Sequence, residues 1–461
     1  MNSNIIFRAT FILVFVCLQT GVFGKPVQQR PNIVLILTDD HPWNAYGFMG
    51  DTIAHTPHID RFSEEALIFP HGYVTAPVCR PSLGTVLTGL YPHQSKIWFN
   101  QHPEHKRPVS KFPDQKNISN ASDIVRKLET LPDLLRRAGY LSLQTGKHWE
   151  GDFRDAGFDE GTAYYNSDGS KNSFNGTLAE NQIGRETMEP IYRFVNEQLE
   201  AENPFFIWYA PYIPHAPTNA PEKFRQPYYN KNLEPFEIAY YANISWLDES
   251  VGELLDFFEE KELMDNTVFL LLTDNGMTIH PNPWWGGLKG KSSVWQMGVR
   301  TPVLVKWGNN LSQSVCNIPV SSVDVVPTFL ECAGIDYSDM QLPGRNIIDV
   351  GMDCSESDVI PVFGEVYNPN PKLNDIPEKT ISYRYVILGD YKLISPENIS
   401  DRLWLHDGWP GYRPEEHFTN VRLFNIKRDP DELVNLAEFE EYDKKRDEMI
   451  EILNDWWPVN Q

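Results

Sequence analysis

The segment Asn32–Thr38 (NIVLILT) is apolar through its centre and runs directly into two carboxylates, Asp39 and Asp40. An unbroken apolar run without alternation predicts a strand buried on both faces of a sheet. The same pattern recurs at 204–210 (PFFIWYA), Thr267–Thr273 (TVFLLLT) and 301–306, and a shorter strand is expected at 140–145. Helical periodicity fills the intervals at 57–66, 131–138, 186–201 and 235–263, with Gly139 closing the second of these. Strands alternating with helices predict an α/β fold: a large, mixed, mostly parallel sheet sandwiched by helices. Ligands in such sheets gather at the carboxyl ends of strands, so polar residues there are the first to inspect.

The pattern changes after the helical stretch 323–333. A turn-rich segment, 334–358, leads to short strand patterns at 359–366, Ile381–Leu388 and 391–394, the last two joined across Gly389-Asp390, and then to a charged helical pattern at 438–456. This predicts a smaller C-terminal α+β subdomain with a short antiparallel sheet, residues 355–461, following a main domain of residues 25–354.

Residues 1–24 stand apart. Arg8 is their single charge, an apolar run follows at 11–18, and Gly24 closes a small-residue cleavage pattern. The run is too short to span a bilayer and reads as a secretory signal peptide, so export to the periplasm or exterior is expected (lysosome or exterior in a eukaryote). No later segment has the pattern of a membrane span. Of five cysteines, Cys17 leaves with the leader; any two of Cys316, Cys332 and Cys354 could pair in an oxidising compartment, and Cys79 stands alone. Six N-x-S/T sequons occur, at Asn117, Asn120, Asn175, Asn243, Asn310 and Asn398.

The chain has 461 residues, with 40 Lys+Arg against 63 Asp+Glu and a net charge of −23. That balance argues against nucleic acid as a partner, which needs a basic face. An anionic substrate would need a local exception. One candidate is Asp39-Asp40, whose mutual repulsion a hard divalent cation would relieve. Thr273-Asp274-Asn275-Gly276, after another strand, adds two more oxygen donors, and the set suits Ca²⁺ or, less well, Mg²⁺. A third is Cys79-Arg80-Pro81-Ser82, where a cysteine enters a helix N-terminus, a place that favours negative groups.

Cys79-Arg80-Pro81-Ser82 with Leu87-Thr88-Gly89-Leu90-Tyr91-Pro92, downstream of the Asp39-Asp40 strand, resembles the formylglycine-dependent sulfatases of the alkaline phosphatase superfamily. Thr56-Pro57-His58-Ile59-Asp60, Thr145-Gly146-Lys147, Pro214-His215-Ala216-Pro217, Thr273-Asp274-Asn275-Gly276 and Gly298-Val299-Arg300-Thr301-Pro302 follow in the family's order. The resemblance implies an alkaline phosphatase-like sheet and a sulfuric-ester hydrolase acting on a sulfated carbohydrate. It implies that a maturation enzyme oxidises Cys79 to formylglycine. Asp39, Asp40, Asp274, Asn275 and the modified residue 79 would hold calcium. Lys147, His215 and Lys291 would bind the sulfate or assist the leaving alcohol, with Lys289 the alternative to Lys291. One hydroxyl of the formylglycine hydrate would attack sulfur and the other would expel sulfate by reforming the aldehyde.

Three positions depart from the family pattern. Leu83 stands where the maturation signature has arginine, with Arg80 the nearby guanidinium and a candidate substrate contact. Trp149 stands where histidine is usual, with His148 adjacent as a candidate catalytic group. Gln296 replaces a common acid. Two other readings remain open: a phosphodiesterase or phosphonate hydrolase of the same superfamily, and a non-catalytic binder of sulfated glycans that keeps Cys79 as a thiol. Trp43, Trp98, Trp284, Trp285, Trp404 and Trp409 are candidates either for stacking on sugar rings or for core packing. The sequence leaves the oligomeric state open.

Overall fold

The computed structural model describes residues 30–100, 123–164, 173–174, 177–282, 284, 287–355, 359–367, 376–397 and 418–459. The leader, the sequons at Asn117, Asn120, Asn175 and Asn398, and Trp285, Trp404 and Trp409 lie outside the described residues. Among the described residues no helix is long and apolar enough to cross a membrane.

The strands in chain order are β1 Asn32–Thr38, β2 Leu67–Tyr73, β3 Leu141–Gly146, β4 Glu160–Gly161, β5 Ser173–Phe174, β6 Thr177–Leu178, β7 Phe205–Ala210, β8 Thr267–Thr273, β9 Arg300–Trp307, β10 Ser314–Val315, β11 Val320–Ser321, β12 Val362–Tyr367, β13 Ile381–Leu388, β14 Tyr391–Pro396 and β15 Arg422–Asn425. The main sheet has the order β10-β2-β9-β8-β1-β7-β3-β4, with β11 also on β2. β9 runs antiparallel to both its neighbours, β2 and β8; the other pairings are parallel. The expected mixed, mostly parallel sheet is therefore present.

Burial on both faces explains the unbroken apolar runs. Ile33, Leu35 and Leu37 of β1 point into one core, with Phe206, Leu270 and Phe329. Val34 and Ile36 point into the other, with Ile207, Phe269, Leu254 and Phe258. The helices Leu131–Arg136 and Val325–Cys332 cover the first face; Pro57–Ser63, Glu189–Glu200 and Pro235–Glu260 cover the second.

Several elements were not expected, β15 and the two-residue strands among them. β2 (LIFPHGY) carries Pro70 and Gly72, which disguise it as a loop. It is accommodated by a register shift between Phe69 and Gly72, and Gly72 is needed because a Cβ there would lie 2.5 Å from the carbonyl oxygen of Thr301. The turn-rich stretch 334–358 also contains the helix Ile347–Asp353. Its end is tied back by the Cys316–Cys354 disulfide, while Cys332 and Cys79 stay reduced and buried.

The tail forms a second sheet, β12-β13-β14-β15, antiparallel throughout. The helix Asp443–Trp456 covers one face through Met449 and Leu453. Tyr385, Ile387, Ile394 and Phe424 on the other face pack on Tyr73, Val74, Val294, Trp295 and Val299 of the main body. Two buried carboxylates fasten this joint. Glu365 accepts from the backbone and ring of His93 and from Tyr367. Glu432 lies 2.8 Å from Lys392 Nζ and accepts from the backbone NH of Gln296 at 2.6 Å, while Lys392 also donates to Val294 O at 2.6 Å.

Both side chains of the Lys392–Glu432 pair are shielded from water, at 0% and 1% exposed. Removing one partner strands a buried charge, which costs about 3–5 kcal/mol. Lys392→Met is therefore expected to lower the unfolding free energy, read from urea denaturation, by an amount of that order. The apolar double variant Lys392→Met/Glu432→Leu should recover most of the loss.

Candidate active site

The site begins with strand register. β1 and β8 run parallel with Thr38 opposite Thr273, so Asp39-Asp40 and Asp274-Asn275 leave the sheet side by side. Asp274 NH donates to Thr38 O at 3.0 Å. Asp40 adopts a left-handed backbone (φ 60) and its NH donates to Asp274 Oδ1 at 3.1 Å. Its own carbonyl accepts from the Tyr240 hydroxyl, delivered by the long helix Pro235–Glu260. Asn275 Nδ2 donates to Asp40 Oδ1 at 2.7 Å.

Two ammonium groups and an imidazole answer these carboxylates. Lys147 follows β3, where Gly146 is required: its φ is 76, and a Cβ would lie 2.0 Å from Ala210 O. Lys147 Nζ bridges Asp39 Oδ1 and Asp274 Oδ2, the latter at 2.8 Å. Lys291 Nζ lies 2.7 and 2.8 Å from the two oxygens of Asp40. His215 brings Nε2 to 3.4 Å from Asp40 Oδ2, while Nδ1 donates to Ala216 O at 2.7 Å.

The turn carrying His215 is held from two sides. Asn243 donates to Pro214 O and Pro217 O, each at 3.2 Å, and accepts from Ala220 NH. Arg185 donates to Tyr212 O at 2.7 Å and His215 O at 3.4 Å. Sequence reasoning missed both clamps. Asn243 had registered only as a sequon, and its burial removes it as a glycan acceptor, whereas Asn310 is exposed.

Cys79 opens the helix Cys79–Thr88 and is 2% exposed. Its sulfur, a carboxylate oxygen of Asp39 and one of Asp274 all lie within 4.8 Å of one another, as do ligand atoms of Asp39, Asp40 and His215. Burial pushes the thiol up to about 12, so as a free thiol it stays protonated at neutral pH and is a weak nucleophile.

The other groups respond to the same balance of burial and charge. Burial opposes ionisation of Asp40, yet Lys291, His215 and Lys147 together hold it below the usual carboxylate value. Burial lifts Asp274 to about 6 despite Lys147. Burial works against the Lys147 ammonium, but Asp274 and Asp39 outweigh it and raise its pKa. Lys291 is raised likewise, Asp40 outweighing burial. Burial draws His215 down.

Asp39 Oδ2 and Asn275 Oδ1 are buried and accept no hydrogen bond. Buried oxygens are rarely left so, and a bound cation is one remedy. With Asp40 and Asp274 they form an all-oxygen donor set, which fits Ca²⁺ or Mg²⁺ better than a softer metal.

Asp39, Asp40, Cys79, Lys147, His215, Asp274, Asn275 and Lys291 thus converge. Other candidates sit differently. Lys289 donates to Asp431 O and Glu432 O, which leaves Lys291 as the lysine on Asp40. His148 packs edge-on to Phe158 in the core. Arg80, expected as a substrate contact, has its guanidinium buried against Glu150. Leu83 lies in the apolar core. Trp98 is core and Trp43 lies against the Arg300 guanidinium, whereas Trp284 is 53% exposed with its ring centre 5.4 Å from that of His215.

Comparison with known proteins follows the same lines. The N-acetylgalactosamine-6-sulfatase of Canis lupus familiaris is 27% identical over 380 residues, spanning 73% of this chain and 68% of that protein. An ulvan-active sulfatase of Formosa agariphila is 27% identical over 386 residues, spanning 74% of this chain and 70% of its own length. A solved sulfatase from a Pseudoalteromonas species shares the fold, with a TM-score of 0.68 at 18% identity over 94% of this chain and 92% of that one. The chain spans about two thirds of the length of the curated relatives it matches. The family model described as Sulfatase matches residues 31–335, well over half of the sequence, and on that match the chain belongs to the sulfatase family of enzymes.

Proposed function

We propose that this sulfatase is exported and hydrolyses the sulfate ester of a sulfated carbohydrate, with residue 79 as nucleophile after conversion to formylglycine and with a calcium ion bound beside it. The observation that carries the reading is the buried cluster itself. Three carboxylates face two ammonium groups, which leaves one negative charge in excess. A dication turns that into one positive charge in excess, which matches a single sulfate monoester. Asp39, Asp40, Asp274 and Asn275 would hold the ion, which neutralises charge at the sulfate oxygens. A formylglycine hydrate at residue 79 would supply a hydroxyl nucleophile and a second hydroxyl through which the aldehyde could reform.

The chain's own residues do the rest. The start of the helix Cys79–Thr88 presents residue 79 to the cluster, and a helix N-terminus favours a negative group. With a cation held by the carboxylates, Lys147 and Lys291 would turn their charge to the sulfate oxygens. His215, its Nδ1 fixed by Ala216 O, would in its imidazolium form give the Nε2 proton to the leaving oxygen. The substrate class rests on the relatives, N-acetylgalactosamine-6-sulfatase and ulvan-active sulfatase, both carbohydrate-directed by name. Export is supported by the 1–24 segment and by the Cys316–Cys354 disulfide, which belongs to an oxidising compartment.

Mass spectrometry of the peptide containing residue 79, on protein from its native host, should show a loss of about 18 Da relative to cysteine, as thiol-to-aldehyde conversion requires. An intact thiol on a chain that still binds sulfated glycan would favour the non-catalytic reading, which Leu83 and the buried thiol keep in play. Sulfate release should be lost in Cys79→Ala, and retained turnover would sink the nucleophile assignment. Lys291→Met is expected to cut kcat about 10²-fold, the usual scale for removing one charge-stabilising donor. Chelation should abolish activity and added Ca²⁺ should restore it better than Mg²⁺; activity that survives chelation would refute the metal assignment.

A further inference from the structure

Arg80 and Glu150 meet between two segments that build the site. Arg80 follows residue 79 in the first turn of its helix, and Glu150 stands three residues beyond Lys147. Arg80 Nε lies 2.7 Å from Glu150 Oε1 and Nη2 lies 2.8 Å from Oε2. The side chains are 2% and 4% exposed. The guanidinium also lies 4.6 Å from the centre of the Phe99 ring, and Arg80 NH donates to Asn100 Oδ1 at 3.3 Å.

A buried two-point ion pair is a costly way to gain stability, since apolar residues of similar volume do as well or better. Its distinctive property is direction: the two parallel bonds fix both distance and angle between the elements they join. Leu83, one turn further along the helix, is packed in the apolar core and brings no charge to residue 79. Glu150 neutralises Arg80, so this guanidinium adds no net charge for an anion.

We propose that Arg80 and Glu150 form a positioning pair that locks the start of the residue-79 helix to the Lys147 loop and so sets where the nucleophile stands relative to the Lys147 ammonium. The inference rests on the sulfatase reading, with residue 79 and Lys147 both at the reacting sulfate. Reaction rate is steeply sensitive to such placement, and an error of about 1 Å costs on the order of 10²-fold. The pair acts on kcat through residues 79 and Lys147 and leaves ground-state affinity largely alone.

The test is steady-state kinetics of the full chain on a small aryl sulfate, with kcat scaled to the fraction of residue 79 converted, measured by mass spectrometry. The double variant Arg80→Met/Glu150→Leu should unfold at the wild-type temperature or above. Its kcat should fall by about 10- to 100-fold and its KM should stay within about twofold of wild type. Arg80→Lys, which keeps the charge but loses the two-point geometry, should show a smaller fall. A double variant with wild-type kcat would overturn the proposal, as would raised KM with unchanged kcat, which would make Arg80 a substrate contact. If the double variant does not fold, Arg80→Lys decides, and wild-type kcat in it refutes the pair. A wild-type chain with residue 79 converted that releases no sulfate from either the aryl sulfate or sulfated glycans brings down the sulfatase reading and this inference with it. An active wild type with an unaffected variant brings down the inference alone.

Discussion

Everything in the site depends on keeping Asp39, Asp40 and Asp274 charged in a place without water. Parallel pairing of β1 and β8 forces these carboxylates together, and burial by itself works against the charged forms of Asp40 and Asp274. Lys147 and Lys291 are the answer, each arriving from a different loop and each held by more than one carboxylate oxygen. The cluster is therefore a meeting point for the carboxyl ends of β1, β8 and β3 and for the loop before β9. Its charge balance ties together parts of the chain more than two hundred residues apart.

The architecture was legible because its strands are buried on both faces, and unbroken apolar runs such as Asn32–Thr38 and Thr267–Thr273 leave few alternatives. β2 was hidden because Pro70 and Gly72 break its pattern, and only tertiary pairing with β9 makes sense of them. The ligating side chains were legible for a related reason: Asp39, Asp40, Asp274 and Asn275 immediately follow strands. What remained hidden were the partners of the supporting groups. Nothing local to Glu150, Glu432, Asn243 or Arg185 marks them, because each acts on a residue distant in sequence. The exchange of Arg80 from candidate substrate contact to buried partner of Glu150 has the same origin.

The small C-terminal sheet does more than cap the main body. Lys392 and Glu432 grip the backbone at Val294 and Gln296, and Lys289 reaches the carbonyls of Asp431 and Glu432. Those contacts bracket Lys291. Glu365 likewise holds His93, just beyond the Leu87-Thr88-Gly89-Leu90-Tyr91-Pro92 segment that leads out of the residue-79 helix. The loop that carries Lys291 thus owes its shape to residues from the tail.

The burial of Cys79 also sets an order in time. At 2% exposure the sulfur is closed to any protein catalyst once its helix has docked under Lys147 and Asp274. Under the formylglycine reading proposed above, an enzyme converting this residue would meet it before that docking. Lys291 and the sheet carrying Lys392 and Glu432 follow residue 79 by more than two hundred residues, so the interval before they arrive would be the window for that encounter.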